Sequence, residues 1–133
     1  MKIDHFAYEV SDLDASIRFY TQKLGFKVQL EKTVDEKEHE AFAVLEMEGG
    51  RLELLQALSE TNGPKPFDPL TVRPHACPHL AFQVDDFDGT LSMLAAEGIP
   101  ILHGPLENPG AAVKWLYVSD PDRNVIEFCQ FSI

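Results

Sequence analysis

Positive charge is scarce in this chain: 11 Lys and Arg stand against 22 Asp and Glu, a formal charge of −11 over 133 residues. Such a balance repels a phosphate backbone, so nucleic acid is not an expected partner. Cysteine is scarcer still. The two thiols, Cys77 and Cys129, form no CxxC and no zinc-type spacing, and they are expected to stay reduced. No apolar run approaches the roughly 18 residues that cross a bilayer, which argues against a membrane span. Lys2, Asp4 and His5 interrupt the start, so no cationic-then-apolar leader is read there and a cytoplasmic location is expected. Low-complexity tracts are missing too. With 44% hydrophobic residues, the chain is long enough to bury the core of one domain.

What the sequence does contain is a copy of itself. Residues 3–14 read IDHFAYEVSDLD, and moved forward by 74 they put His5 on His79, Ala7 on Ala81, Val10 on Val84, Asp12 on Asp86 and Asp14 on Asp88. The same shift puts Val44 on Val118, Glu53 on Glu127 and Gln56 on Gln130. The spacing from His to Glu is therefore 48 in both halves, since 53 − 5 = 127 − 79.

Each half reads as β-α-β-β-β. KIDHFAYEV alternates as a strand, and Asp12 caps a helix whose Leu13, Ile17, Tyr20 and Leu24 share a face before Gly25 ends it. FKVQLEK, EAFAVLEME and RLELLQA follow as strands, with a hairpin turn at Gly49-Gly50. Residues 59–74 carry four of the nine prolines and read as a linker between module 1 (about 1–58) and module 2 (about 75–133) of a single domain. The order then repeats: PHLAFQV as strand, Asp86 capping a helix that Gly98 stops, IPILHG as a short strand, GPLENPGA as a loop, AVKWLYV as strand, SDPDRN as turn and VIEFCQF as the last strand.

Side chains alternate across a strand. Phe6, Tyr8 and Val10 thus oppose Ile3, His5, Ala7 and Glu9, and Leu80, Phe82 and Val84 oppose His79, Ala81 and Gln83. In the fourth strand of each half, Leu52 and Leu54 oppose Glu53, while Ile126 and Phe128 oppose Glu127. The large apolar face takes the helix, which leaves His and Glu on the other. A helical crossover followed by two hairpins returns strand four parallel to strand one. If those two strands are neighbours, His and Glu lie side by side, and two facing modules converge two imidazoles and two carboxylates as a metal site of mixed nitrogen and oxygen donors. His39, His75 and His103 have no repeated partner and read as surface residues.

Paired βαβββ modules, a His early in each first strand, a Glu late in each fourth strand and the passage GPLENPGAAVKWLYVSDPDRNVIEF resemble the vicinal oxygen chelate superfamily, which includes glyoxalase I, methylmalonyl-CoA epimerase and bleomycin resistance proteins. The resemblance implies an α+β fold of two tandem βαβββ modules forming a curved mixed sheet with a concave metal site. It makes His5, Glu53, His79 and Glu127 the ligands of one divalent ion per site, Ni, Co, Zn or Mn. By the same resemblance the chain is a metal-dependent lyase or isomerase of the glyoxalase I type that moves a proton next to a metal-bound carbonyl of a small molecule. Glu127 is then the first choice as base and Glu53 the second. Open strand edges, with the superfamily's habits, imply a homodimer, though closure of the site within one chain also occurs in the superfamily.

Three alternatives remain at this stage. An epimerase of acyl-CoA typically has Gln where Glu53 stands, uses a further Glu to which Glu36, Glu38 or Glu40 would correspond, and would set a CoA tail on cations such as Arg51, Arg73 or Lys114. A non-catalytic binding or resistance protein typically lacks the metal residues. An extradiol dioxygenase uses iron on two His and one Glu, so Glu53 would fill a position that it needs open. Where glyoxalase I commonly places an arginine and an asparagine to hold glutathione, this chain has Glu9 and Ala57. Arg123 occupies a turn position that is often glycine in related chains, and would be strained there if its φ were positive.

Overall fold

The structure, a computed structural model, describes residues 1–69 and 78–132. Parts of the expected linker, with Arg73 and the sequence expectations for His75 and Cys77, lie outside the described residues. The chain divides into two compact units, Met1–Pro69 and Leu70–Ile133. The first contains β1 (Phe6–Glu9), α1 (Leu13–Arg18), a π-helical turn (Phe19–Lys23), β2 (Lys27–Asp35), β3 (Glu40–Met47) and β4 (Gly50–Ala57). The second contains β5 (His79–Gln83), α2 (Phe87–Ala96), β6 (Ile101–Asn108), β7 (Val113–Ser119) and β8 (Val125–Phe131). Each forms its own four-stranded mixed sheet, in the order β1-β4-β3-β2 and β5-β8-β7-β6. The class is α+β, as two tandem βαβββ modules.

The repeated residues build the repeated contacts. Asp12 and Asp86 cap the helices, accepting from Ala15 N at 3.0 Å and Gly89 N at 2.9 Å. Gln56 and Gln130 tie each helix start to its sheet, their Oε1 atoms accepting from Leu13 N and Phe87 N at 2.8 Å each. Strand parity sends Leu52, Leu54, Ile126 and Phe128 inward, all at 5% exposure or less, and they form the helix-side cores with Val10, Leu13, Leu94 and Leu116.

Several expectations need correction. The first strand is shorter than its alternation suggests: pairing with β4 starts at Phe6↔Leu52, so His5 precedes the strand. The first helix turns π from Phe19, where Thr21 Oγ1 donates to the Ile17 carbonyl at 2.7 Å and competes with the backbone ladder. The hairpin turn is Glu48-Gly49, between the paired Met47 and Gly50, with Gly49 at φ 92°. The expected loop after Gly104 is in fact strand. β6 runs to Asn108 because it is an edge strand, where Pro105 forfeits no ladder bond that the sheet needs, and because Gly104 at φ 102° sits where the β6–β7 register shifts. The Val44–Val118 match also fails. Glu53 pairs with Val44, but Glu127 pairs with Tyr117, so the third strands are related by 73 rather than 74. A longer turn between β7 and β8 absorbs the difference.

That turn holds Arg123, one of the positive-φ non-glycine residues with His39, Asn62 and Ala112. Asp120, 4% exposed, accepts at Oδ1 from the backbone of Asp122 at 2.8 Å and of Asn124 at 2.9 Å, and at Oδ2 from Asn124 Nδ2 at 2.9 Å. Arg123 N donates to Asp120 O at 3.2 Å, and Arg123 sits at φ 67°. A left-handed non-glycine costs about 1–2 kcal/mol, of which glycine's greater unfolded-state freedom returns about half. Arg123→Gly is therefore expected to raise the urea midpoint, by up to about 1 kcal/mol of unfolding free energy. An unmoved or lowered midpoint would show that the Arg123 side chain offsets the strain.

Candidate metal centre

The same construction places a His next to a Glu in each unit. In the parallel β1/β4 pair Ala7 lies opposite Glu53, and in β5/β8 Ala81 lies opposite Glu127. The histidines stand two residues earlier, on the same face, and reach the glutamates diagonally. His5 Nε2 is 3.3 Å from Glu53 Oε2 and His79 Nε2 is 2.8 Å from Glu127 Oε2. Sequence reasoning gave no role to Ala7 and Ala81, although both belong to the repeat. Their single methyl leaves each carboxylate room to lean toward its histidine, whereas a longer side chain directly opposite would crowd it away.

All four residues expected as ligands are thus on the sheet faces opposite the helices, and the structure brings them together as two pairs. Among the described residues no group of three or more His, Cys, Asp or Glu is arranged to hold an ion. The glutamates are mostly shielded and the histidines more open, with side-chain exposures of 23% for Glu53, 17% for Glu127, 39% for His5 and 33% for His79.

Each half surrounds its histidine differently. In the first, Asp4 Oδ2 lies 2.7 Å from His5 Nδ1, and Arg51 binds Asp4 through its side-chain carboxylate and, at 3.3 Å, its backbone carbonyl. The hydrogen bond from His5, with the charge of Arg51, holds the Asp4 carboxyl below its ordinary range. In the second, the Tyr117 ring meets His79 edge-on at 5.4 Å and stacks with His103 at 6.4 Å. His103 lies on the expected strand and is exposed, as expected, with its ring stacked on the aromatic neighbour of the site. Burial first, and then the Glu127 charge, pushes the Tyr117 hydroxyl above its usual range, and the same two causes in the same order raise the Cys129 thiol. Tyr117 and His103 escaped the sequence reading because the one-residue offset in the third strand hid the pairing with Glu127.

A pocket of about 670 Å³ lies further along the first sheet, lined by Glu9, Leu55, Ala57 and Leu58, by Glu38, His39 and Glu40 at the β2–β3 turn, and by Ser59, Glu60 and Lys65. Glu9 pairs with Leu55, one step beyond the Glu53 row on the same face. His39, expected at the surface, lines this pocket with its Nδ1 2.8 Å from Asn62 Oδ1.

The donors suit a divalent ion. Two ligands at roughly 2.1 Å from a metal and at right angles to one another are about 3 Å apart, and the two observed separations, 2.8 and 3.3 Å, fall on either side of that. In the first pair the Asp4 carboxylate can only accept, so it takes the Nδ1 proton of His5. When the His5 ring is neutral, its Nε2 lone pair then lies beside the Glu53 oxygen, where a proton or a metal ion can sit between the two.

The comparisons agree with this architecture. The sequence matches the Glyoxalase/Bleomycin resistance protein/Dioxygenase superfamily over residues 2–128, and the chain belongs to that family. It is 30% identical to Virulence protein STM3117 of Salmonella typhimurium, over 98% of this chain and 84% of that protein. It is 32% identical to lactoylglutathione lyase of Haemophilus influenzae, over 98% of this chain and 93% of that one. Among solved structures, SMU.1112c superposes with a TM-score of 0.79 at 28% identity, covering 97% of this chain and 98% of the other.

Charge at Glu127 gives the site a measurable signature. In a Cys77→Ser background, Glu127→Gln is expected to move the titration of Cys129 to lower pH, because it removes the negative charge that opposes thiolate formation while burial persists. The pH dependence of iodoacetamide alkylation reads this directly. An unmoved profile would show that no Glu127 charge is felt at Cys129.

Proposed function

We propose that this chain is a metal-dependent lyase or isomerase of the glyoxalase I type, acting on a small molecule that carries a carbonyl next to a second oxygen. The observation that carries the reading is the duplicated His–Glu pair, built twice by the same strand register with donor atoms at 3.3 and 2.8 Å. His5, Glu53, His79 and Glu127 would hold one divalent ion such as Ni, Co, Zn or Mn, supplied by one chain or by two chains of a homodimer. When bound, such an ion is a Lewis acid that polarises a carbonyl and makes the neighbouring C–H more acidic.

The remaining chemistry belongs to the chain's own side chains. Glu127 takes the proton from the carbon beside the carbonyl and returns it to the adjacent carbon, so that no oxidant or reductant is consumed. Glu53 is the second candidate for this shuttle. Glu127 suits it better: it is the more shielded of the two at 17%, with Tyr117 next to it across the strands. Retention of both glutamates weighs against a module that only sequesters ligand, and against an iron dioxygenase needing three ligands.

The pocket beside the Glu53 row bears on the handle of the substrate. Glu9, Glu38, Glu40 and Glu60 line it together with Lys65, a balance that disfavours an anionic tail of the glutathione or coenzyme A kind in that position. A hemithioacetal of a neutral or amine-bearing thiol fits the charge better.

The test is NMR in deuterated water with hemithioacetals of several thiols and with acyl-CoA thioesters. The wild type is expected to exchange the hydrogen next to the carbonyl without taking up oxygen, and Glu127→Gln, which keeps the shape and removes the base, to slow this by about 100-fold or more. Exchange unchanged in Glu127→Gln would move the base to Glu53. Saturable binding without exchange for every substrate would contradict the enzymatic reading.

A further inference from the structure

His5 does not lie in the sheet ladder. It precedes β1, is exposed, and receives no register from β4, so something other than strand pairing must hold its ring toward Glu53. The neighbouring residues supply a chain of polar contacts. Arg51 stands on β4 two residues before Glu53, on the same face, and its guanidinium donates to the Asp4 carboxylate, to the Asp4 carbonyl at 3.3 Å and to Gln29 Oε1 at 3.4 Å. Asp4 places its other carboxylate oxygen 2.7 Å from His5 Nδ1, and His5 Nε2 faces Glu53 Oε2 at 3.3 Å.

We propose that Asp4 and Arg51 are positioning residues for His5: Arg51 anchors Asp4, and Asp4 accepts the Nδ1 proton, so that the ring presents an unprotonated Nε2 beside Glu53. The inference deepens the metal-site reading and rests on it for its purpose, though the ring's tautomer is a property of the metal-free protein. A carboxylate behind a metal-binding imidazole fixes both orientation and tautomer. It matters more here than for His79, which is a paired strand residue. Arg51 matters for a geometric reason. Asp4 is itself ahead of the strand and open to solvent, and a guanidinium gripping both its carboxylate and its carbonyl immobilises the acceptor.

The experiment has two arms on the full chain. Two-bond proton–nitrogen correlation spectra of the metal-free protein at pH 8, with the His5 ring assigned by its disappearance in His5→Gln, read the tautomer. The wild type is expected to carry the proton on Nδ1, Asp4→Ala to shift to Nε2–H, and Asp4→Asn, which keeps a neutral acceptor, to fall between them. In the second arm, calorimetric titration with Zn²⁺ is expected to show affinity about 10–100-fold weaker in Asp4→Ala and in Arg51→Ala, with stoichiometry unchanged. An Nε2–H tautomer in the wild type, or a tautomer indifferent to Asp4→Ala, would overturn the proposal whatever the metal does. Equal Zn²⁺ affinity in wild type and both variants would overturn it too. A wild type that takes up no divalent ion would instead defeat the metal reading, and the spectra would still decide the role of Asp4.

Discussion

Parallel pairing of the first and fourth strands in each half is the constraint from which the site follows. A crossover helix and two hairpins return the fourth strand to the direction of the first, and the register then sets an alanine opposite a glutamate, at Ala7↔Glu53 and again at Ala81↔Glu127. The histidine two residues before that alanine then reaches the glutamate diagonally across the strands. Alternation does the rest. Leu52 and Leu54 beside Glu53, and Ile126 and Phe128 beside Glu127, point into the helix-side cores, and burying them fixes the register: a slip of one residue would expose Leu52 and Leu54, each 0% exposed, and would bury Glu53.

Duplication makes the halves alike in backbone, but each has come to hold its histidine in its own way. The first half has a charged chain of Arg51, Asp4 and His5 near solvent. The second has an aromatic neighbour, Tyr117, with His103 stacked on its ring. The pocket adds to the asymmetry, since it lies on the first sheet and is rich in glutamate.

Much of this was legible in the sequence because the repeat carries information twice. Asp12 and Asp86 as caps, Gly25 and Gly98 as helix ends, and the face assignments of Leu52, Glu53, Ile126 and Glu127 all follow from local patterning, and the structure reproduces them. His–Glu adjacency required one further step, the neighbouring of strands one and four, and topology rules supplied it. The misses have a common cause in non-local or one-residue effects. A turn one residue longer between β7 and β8 shifted the third-strand alignment and concealed Tyr117. An edge strand with a bulge accommodated a glycine and a proline that read as loop. Asp4 and Arg51 are 47 residues apart, and nothing in the spacing of two surface charges announces that they meet.

The central claim is that the four repeated residues hold one divalent ion, and metal content after purification without chelator tests it most directly. The account predicts stoichiometric metal in the wild type and an empty site in His79→Ala with the fold intact by circular dichroism, because the His79 side chain is 33% exposed and stands outside the buried core. Full metal occupancy in His79→Ala would contradict it.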